Sequence, residues 1–240
     1  MTTPEMFPEI VPPAAKVKLC AVTQPRIYGD DGVLLTPEQF IVYCARVSNP
    51  SNQLNVETAP RLLAYCIKHK HWSIFEQVSM TVEITTSRAI AAQILRHRSF
   101  SFQEFSQRYA VATEFEPVEL RKQGGNRQGG EELVDENTAI VMPDEDVTTA
   151  NFAVADTIDW CMGVYDALIA AGVAKECARM VLPLCTQTRL YMTGNIRSWI
   201  HYLQIRCDGH TQKEHRLIAE EILVLFRKEF PAVADAVWTL

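Results

Sequence analysis

A chain of 240 residues is long enough for one large domain or two small ones, and a hydrophobic fraction of 48% fills a sizeable core. The net charge of −6 argues against a broad basic nucleic-acid surface, and no apolar run approaches the roughly 18 residues of a membrane span. The start MTTPEMFPEIVPP lacks the apolar stretch of a signal peptide. The seven cysteines, odd in number and without Cys-x-x-Cys spacing, fit reduced, buried thiols in a cytoplasmic protein rather than a disulfide or zinc framework.

Residues 1–15 are proline-rich and read as an extended arm. VKLCAV (17–22) reads as a strand. Pro37 to Val47 reads as a helix, with Thr36 as N-cap and Pro37 at its first position. After the polar loop SNPSNQLN, Thr58 or Ala59 opens a second helix whose apolar face is Leu62, Leu63, Cys66 and Ile67, and Lys68 to Lys70 close it with cations. In VSMTVEI (78–84), Val78, Met80, Val82 and Ile84 alternate with Ser79, Thr81 and Glu83, the pattern of a half-buried strand. Thr86 or Ser87 then caps a helix to about His97.

Residues 114–146 hold ten acidic residues against Arg121, Lys122 and Arg127, plus GGNRQGG; their net charge of −7 marks a flexible acidic insertion in a surface loop. Thr148 or Thr149 caps a long helix to Ala171, with Phe152, Ala155, Ile158, Cys161, Met162, Tyr165, Leu168 and Ile169 at helical spacing and Gly172 as its stop. A short helix over Ala174 to Val181 ends before Pro183. TQTRLYMTG (186–194) alternates like a strand, and Asn195 caps a helix reaching Arg206. Thr211 and Glu214 have the spacing of a capping box for a last helix to about Glu229. The expectation is a single α+β domain over 1–240, with a small, mostly antiparallel sheet packed by helices.

The chemistry concentrates in RHRSFSFQEFSQRY, where Arg96, His97 and Arg98 stand side by side. From Arg88 to Arg108 four arginines face Glu104 alone, a net charge of +3 inside an acidic chain. Such a concentration calls for an anionic ligand, and guanidinium forks match phosphate oxygens. The apolar AIAAQIL before it, and Phe100, Phe102 and Phe105 within it, set it apart from a solvated charged face. A second cationic group, Arg189, Arg197 and Arg206, has no acid between its members, and Arg197 and His201 share a helix face. His69, His71, His210 and His215 lack metal-ligand spacing; a surface or cap role is the reading for His69 and His215. GGNRQGG lacks the strand and helix of a dinucleotide fingerprint.

Arg96-His97-Arg98, seven residues and Ser106 resemble the signature of the flavin-dependent thymidylate synthases. HWSIFEQ (71–77), Arg179 in ARMVLP, and NIRSWIHYLQIRCDGHTQ (195–212) extend the resemblance in the same order along the chain. The resemblance implies reductive methylation of dUMP, with methylenetetrahydrofolate as carbon donor, FAD as cofactor and NADPH as reductant. It implies that Ser48, His71, Ser73, Arg96, His97, Arg98, Glu104, Asn195, Arg197, His201 and His210 line FAD. It implies that Gln93, Arg96, Glu104, Ser106, Arg108, Arg179 and Arg206 hold dUMP, with Arg206 acting on the uracil ring. It further implies a homotetramer with shared sites. His201 stands where the family pattern has Asn, and Gln77 and Gln103 replace a common His and Asn. The competing readings are a family member that binds flavin and nucleotide without turnover, and a nucleic-acid-binding module using the arginines and phenylalanines of 96–108.

Overall fold

The computed structural model describes residues 16–111, 114–125, 130 and 132–238. The expected arm over 1–15 lies outside the described residues. The elements are β1 (Val17–Val22), α1 (Pro37–Ala45), α2 (Ala59–Lys68), β2 (Ser79–Ser87), α3 (Arg88–Ile94), β3 (Ser101–Glu104), β4 (Ala139–Val141), β5 (Val147–Thr149), α4 (Ala150–Ala170), α5 (Lys175–Ala178), β6 (Gln187–Asn195), α6 (Ile196–Arg206), α7 (Lys213–Glu229) and α8 (Pro231–Trp238). Strands β1-β2-β6-β3 form an all-antiparallel sheet, and β4 and β5 form a separate hairpin.

The sheet is built on alternation. Val78, Met80, Val82 and Ile84 are fully buried, while Ser79, Thr81 and Glu83 are half-buried. β6 repeats the pattern with Leu190 and Met192, and pairs with β2 over nine residues, from Ser79 opposite Asn195 to Ser87 opposite Gln187. Trp199, Ile200 and Leu203 of α6, Ile218, Ile222 and Phe226 of α7, and Phe230 and Val233 lie in the same core. Burying such side chains stabilises by about 1.5–3 kcal/mol each.

Local signals set several helix starts. Thr36 forms a reciprocal capping box with Gln39, Thr149 accepts from the Phe152 N–H, and Asn195 accepts from the Ser198 N–H. Gly172 takes φ 82° just past α4.

Four expectations are corrected. First, α7 starts at Lys213 without a side-chain cap, because the Glu214 carboxylate pairs with Arg121 and the Thr211 hydroxyl donates to the Ile205 carbonyl. Second, α3 stops at Ile94, three residues before His97. Third, α4 buries only Ala153 and Tyr165, leaving Phe152 and Trp160 63% and 74% exposed. Fourth, of the cysteines only Cys66 is buried, and Cys20 and Cys177 are exposed.

The segment read as a flexible insertion is anchored where it is described. Buried Glu116 bonds Lys16 and the Ser87 N–H, Arg121 bridges Glu119 and Glu214, and Lys213 also reaches Glu119.

Gly194 marks a tight contact beside the signature loop. A Cβ there would lie 2.4 Å from two ring carbons of Phe100, which packs edge-on to Trp199 at 4.7 Å. Gly194→Ala is therefore expected to cost about 1–3 kcal/mol by overpacking. Urea unfolding checks this, and an unchanged midpoint would contradict the packing described.

Candidate active site

The two helices that carry the signature leave opposite ends of one strand pair. β2 ends at Ser87 and feeds α3; β6 ends at Asn195, opposite Ser79, and feeds α6. The segments that follow them meet. In the last turn of α6, where a cation suits the helix C-terminus, Arg206 donates from Nε to His97 Nε2 at 2.9 Å. A guanidinium only donates, so His97 accepts at Nε2 and carries its proton on Nδ1. Burial first, then the positive charge of Arg206, His201 and Arg96, lowers the His97 pKa to about 4. His97 is thus neutral at physiological pH. The terminal guanidinium nitrogens of Arg206 make no hydrogen bond among the described residues.

Behind this pair lies a polar chain, buried at Tyr202 and His215 and reaching the surface at Gln212. The Tyr202 hydroxyl is 3.1 Å from His215 Nε2, His215 Nδ1 is 3.2 Å from Gln93 Oε1, and Gln93 Nε2 donates to Gln212 Oε1 at 2.7 Å. His215, read as a surface or cap residue, is fully buried. Its burial, followed by the charges of Arg206 and His97, lowers its pKa to about 3. Sequence reasoning missed His215, Tyr202 and Gln212. The apolar Ile218 and Ile222, at helical spacing after His215, were the available signal that this residue faces inward.

The remaining signature residues form further groups. Arg96 and Arg98 are exposed and their side chains make no hydrogen bond or ion pair among the described residues. Glu104 accepts from Arg88 at 3.3 Å and from the Thr188 hydroxyl at 2.9 Å. The Ser106 hydroxyl accepts from the Arg108 N–H at 3.4 Å. Arg108 and Arg179 converge on Glu176, one on its carboxylate at 3.1 Å and the other on its carbonyl at 3.4 Å. The Arg108 and Glu176 side chains are each 54% exposed, so their bridge is weak.

Ser48 borders a pocket with Arg46, Arg61 and Tyr65, and Tyr65 meets His71 edge-on at 5.9 Å. Ser73 lies in the 3-10 turn Trp72–Glu76, whose Glu76 pairs with Arg197. Asn195 uses its carbonyl oxygen as the α6 cap. His201 is exposed on the same helix and close enough to affect His97, and the His210 N–H donates to Asp208. One chain thus brings Gln93, His97 and Arg206 to one cluster. It joins Arg108 to Arg179 in another, and no hydrogen bond links the two among the described residues. Among the same residues no group of three metal-binding side chains occurs.

The neutral histidines carry a pH signature. Unfolded imidazoles titrate near 6.5, whereas folded His97 and His215 titrate near 4 and 3. As pH falls below 6.5 the unfolded state binds more protons, so stability is full above that value and declines towards pH 4. Urea midpoints at about pH 7.5 and 5 are expected to differ, the lower pH giving the lower midpoint; equal midpoints would mean the imidazoles are not held neutral.

A family model described as "Thymidylate synthase complementing protein" matches residues 33–232. A flavin-dependent thymidylate synthase of Synechocystis is 52% identical over 221 residues, covering 92% of this chain and 98% of that protein. A protein of Paramecium bursaria Chlorella virus 1, named a probable flavin-dependent thymidylate synthase, is 47% identical, covering 91% of this chain and 97% of its own. Among solved structures, a UMP/dUMP methylase from Streptomyces cacaoi bound to 5-Br dUMP superposes with a TM-score of 0.75 at 25% identity, covering 93% of this chain and 94% of its own. The match spans nearly all of the α+β domain and both arms of the Arg206–His97 cluster: this chain belongs to the flavin-dependent thymidylate synthase family.

Proposed function

We propose that this protein converts dUMP to dTMP by reductive methylation, with 5,10-methylenetetrahydrofolate as carbon donor and FAD reduced by NADPH. The observation that carries this reading is the Arg206–His97 hydrogen bond, which joins two separate segments of the family signature at one cluster. The relatives named above support it.

FAD, when bound, supplies the hydride chemistry. The residues present fit an anionic dinucleotide: Arg96 and Arg98 are exposed cations without a partner among the described residues, and Ser48 borders a pocket with exposed Arg61. His71, Ser73, His97, Glu104, Asn195, Arg197, His201 and His210 complete the set that would hold it. The role of this chain is to bind, orient and polarise.

For dUMP, Arg108 and Arg179, which both bond Glu176, would take the phosphate. Ser106 is a binder: among the described residues its hydroxyl accepts only the Arg108 N–H, and no base bonds it. Gln93, Arg96 and Glu104 border the nucleotide. Arg206 acts on the ring. Its Nε is fixed by His97, so the free terminal nitrogens form a planar, oriented donor pair for N3 and O2, and their charge stabilises the ring anion. Burial, then Glu220, pushes the neighbouring Cys207 thiol up to about 11, so it stays protonated at neutral pH and is a poor nucleophile.

We further place the protein in the cytoplasm as a homotetramer with shared sites. Exposed Phe152 and Trp160 on α4 support the assembly. No described helix is long and apolar enough to cross a membrane.

The test is to load the protein with FAD and titrate dUMP. A flavin absorption band and dTMP formation with folate and NADPH are expected. Arg108→Ala and Arg179→Ala are each expected to weaken dUMP by about 1.5–3 kcal/mol while leaving FAD affinity unchanged. A colourless protein after reconstitution, or no dTMP, would overturn the proposal. Equal loss of both ligands would make the arginines structural.

A further inference from the structure

We infer that His215 is a positioning residue that sets which way the Gln93 amide faces, and so presents it correctly to the uracil ring. The inference rests on the dUMP reading above. Its physical basis is a polar chain whose direction is fixed from one end. Glu214, paired with Arg121, is an acceptor, so Gln212 must turn its amide N–H towards it, and does so at 2.9 Å. That leaves Gln212 Oε1 facing Gln93, which donates to it from Nε2. Gln93 Oε1 therefore faces His215, whose Nδ1 must carry the proton. His215 Nε2 is then the acceptor and receives the hydrogen bond of the Tyr202 hydroxyl. Each link has one donor and one acceptor.

The chain leaves Gln93 one amide N–H and one carbonyl lone pair, a donor and acceptor side by side. The Gln93 N–H faces the O4 acceptor of uracil, the edge that Arg206, placed at N3 and O2, leaves open. His215 and Tyr202 are both fully buried, so neither end of that link is replaced by bulk water. Gln212 is exposed, so water replaces its link to Gln93 readily; without the Nδ1–H donor no buried partner holds the Gln93 oxygen inward, and the amide is free to reverse. A reversed amide sets its carbonyl oxygen against O4, acceptor against acceptor, an unpaired buried polar contact in the complex.

Two amide substitutions separate this role from simple packing. His215→Asn places an N–H close to the imidazole Nδ1 and retains the donor to Gln93. His215→Gln places its amide close to Nε2, retaining the Tyr202 contact and losing the Gln93 one. In FAD-loaded full-length protein, His215→Gln is expected to raise the dUMP Kd about tenfold with FAD affinity unchanged, whereas His215→Asn stays within about twofold of wild type. A purely structural histidine would shift both variants alike, and equal dUMP affinities for the two would overturn the inference. Should either fail to fold, Gln212→Ala, at an exposed position, breaks the same chain from the other end: weaker dUMP binding supports the inference and unchanged binding overturns it. Wild type that binds FAD but not dUMP would instead defeat the reading on which this rests.

Discussion

The nine-residue antiparallel pairing of β2 with β6 is the constraint on which the rest of the molecule depends. Its register places Ser87 at one end and Asn195 at the other, and each residue is the start of a helix. Helices that begin at opposite ends of one ribbon, and bury their apolar sides on the same face, run towards each other. Arg206, in the last turn of α6, bonds His97, three residues past the end of α3. A one-residue slip would turn Met80, Val82 and Ile84 to the other face and expose them, so the core holds the register and the register holds the site.

Electrostatics explains how the site tolerates its own charge. Four arginines lie on the signature between Arg88 and Arg108, and Arg206 approaches from another segment. The groups between them are uncharged: burial and the surrounding positive charge keep His97 and His215 neutral. A protonated His97 would both repel Arg206 and lose the lone pair that receives its Nε–H. Farther out, Glu104 partly offsets Arg88 and Glu176 offsets Arg108. These exposed or half-exposed bridges are weak, which leaves the guanidinium groups available to a ligand.

Much of this was legible in the sequence because it is local. The alternation of Val78 to Ile84, the Thr36 capping box and the Asn195 cap are properties of a few neighbouring residues, and the structure carries all three. The signature arginines stood out by composition, and two of the expected contacts, Arg206 and Gln93, fall in one cluster with His97. What escaped depends on distant partners. The Thr211–Glu214 spacing suggested a cap, but Arg121, 93 residues away, takes Glu214. The acidic composition of 114–146 suggested a free loop, yet buried Glu116 bonds Lys16 and the Ser87 N–H. His215 looked like a helix-start polar residue, and only packing against Tyr202 turned it inward. The short terminal helix α8 starts at Pro231, a helix-starting signal that the reading did not use.

The central claim is that a fixed cation, with no thiolate attack, activates the uracil ring. The direct measurement is dTMP formed from dUMP, methylenetetrahydrofolate and NADPH by Arg206→Lys and Cys207→Ala, each loaded with FAD. Lysine keeps the charge but loses both the Nε–H donated to His97 and the planar donor pair. The account predicts that Arg206→Lys binds FAD normally and turns over far more slowly, while Cys207→Ala retains most of its activity. An inactive Cys207→Ala beside a normal Arg206→Lys would contradict it and put a cysteine nucleophile at the centre of the reaction.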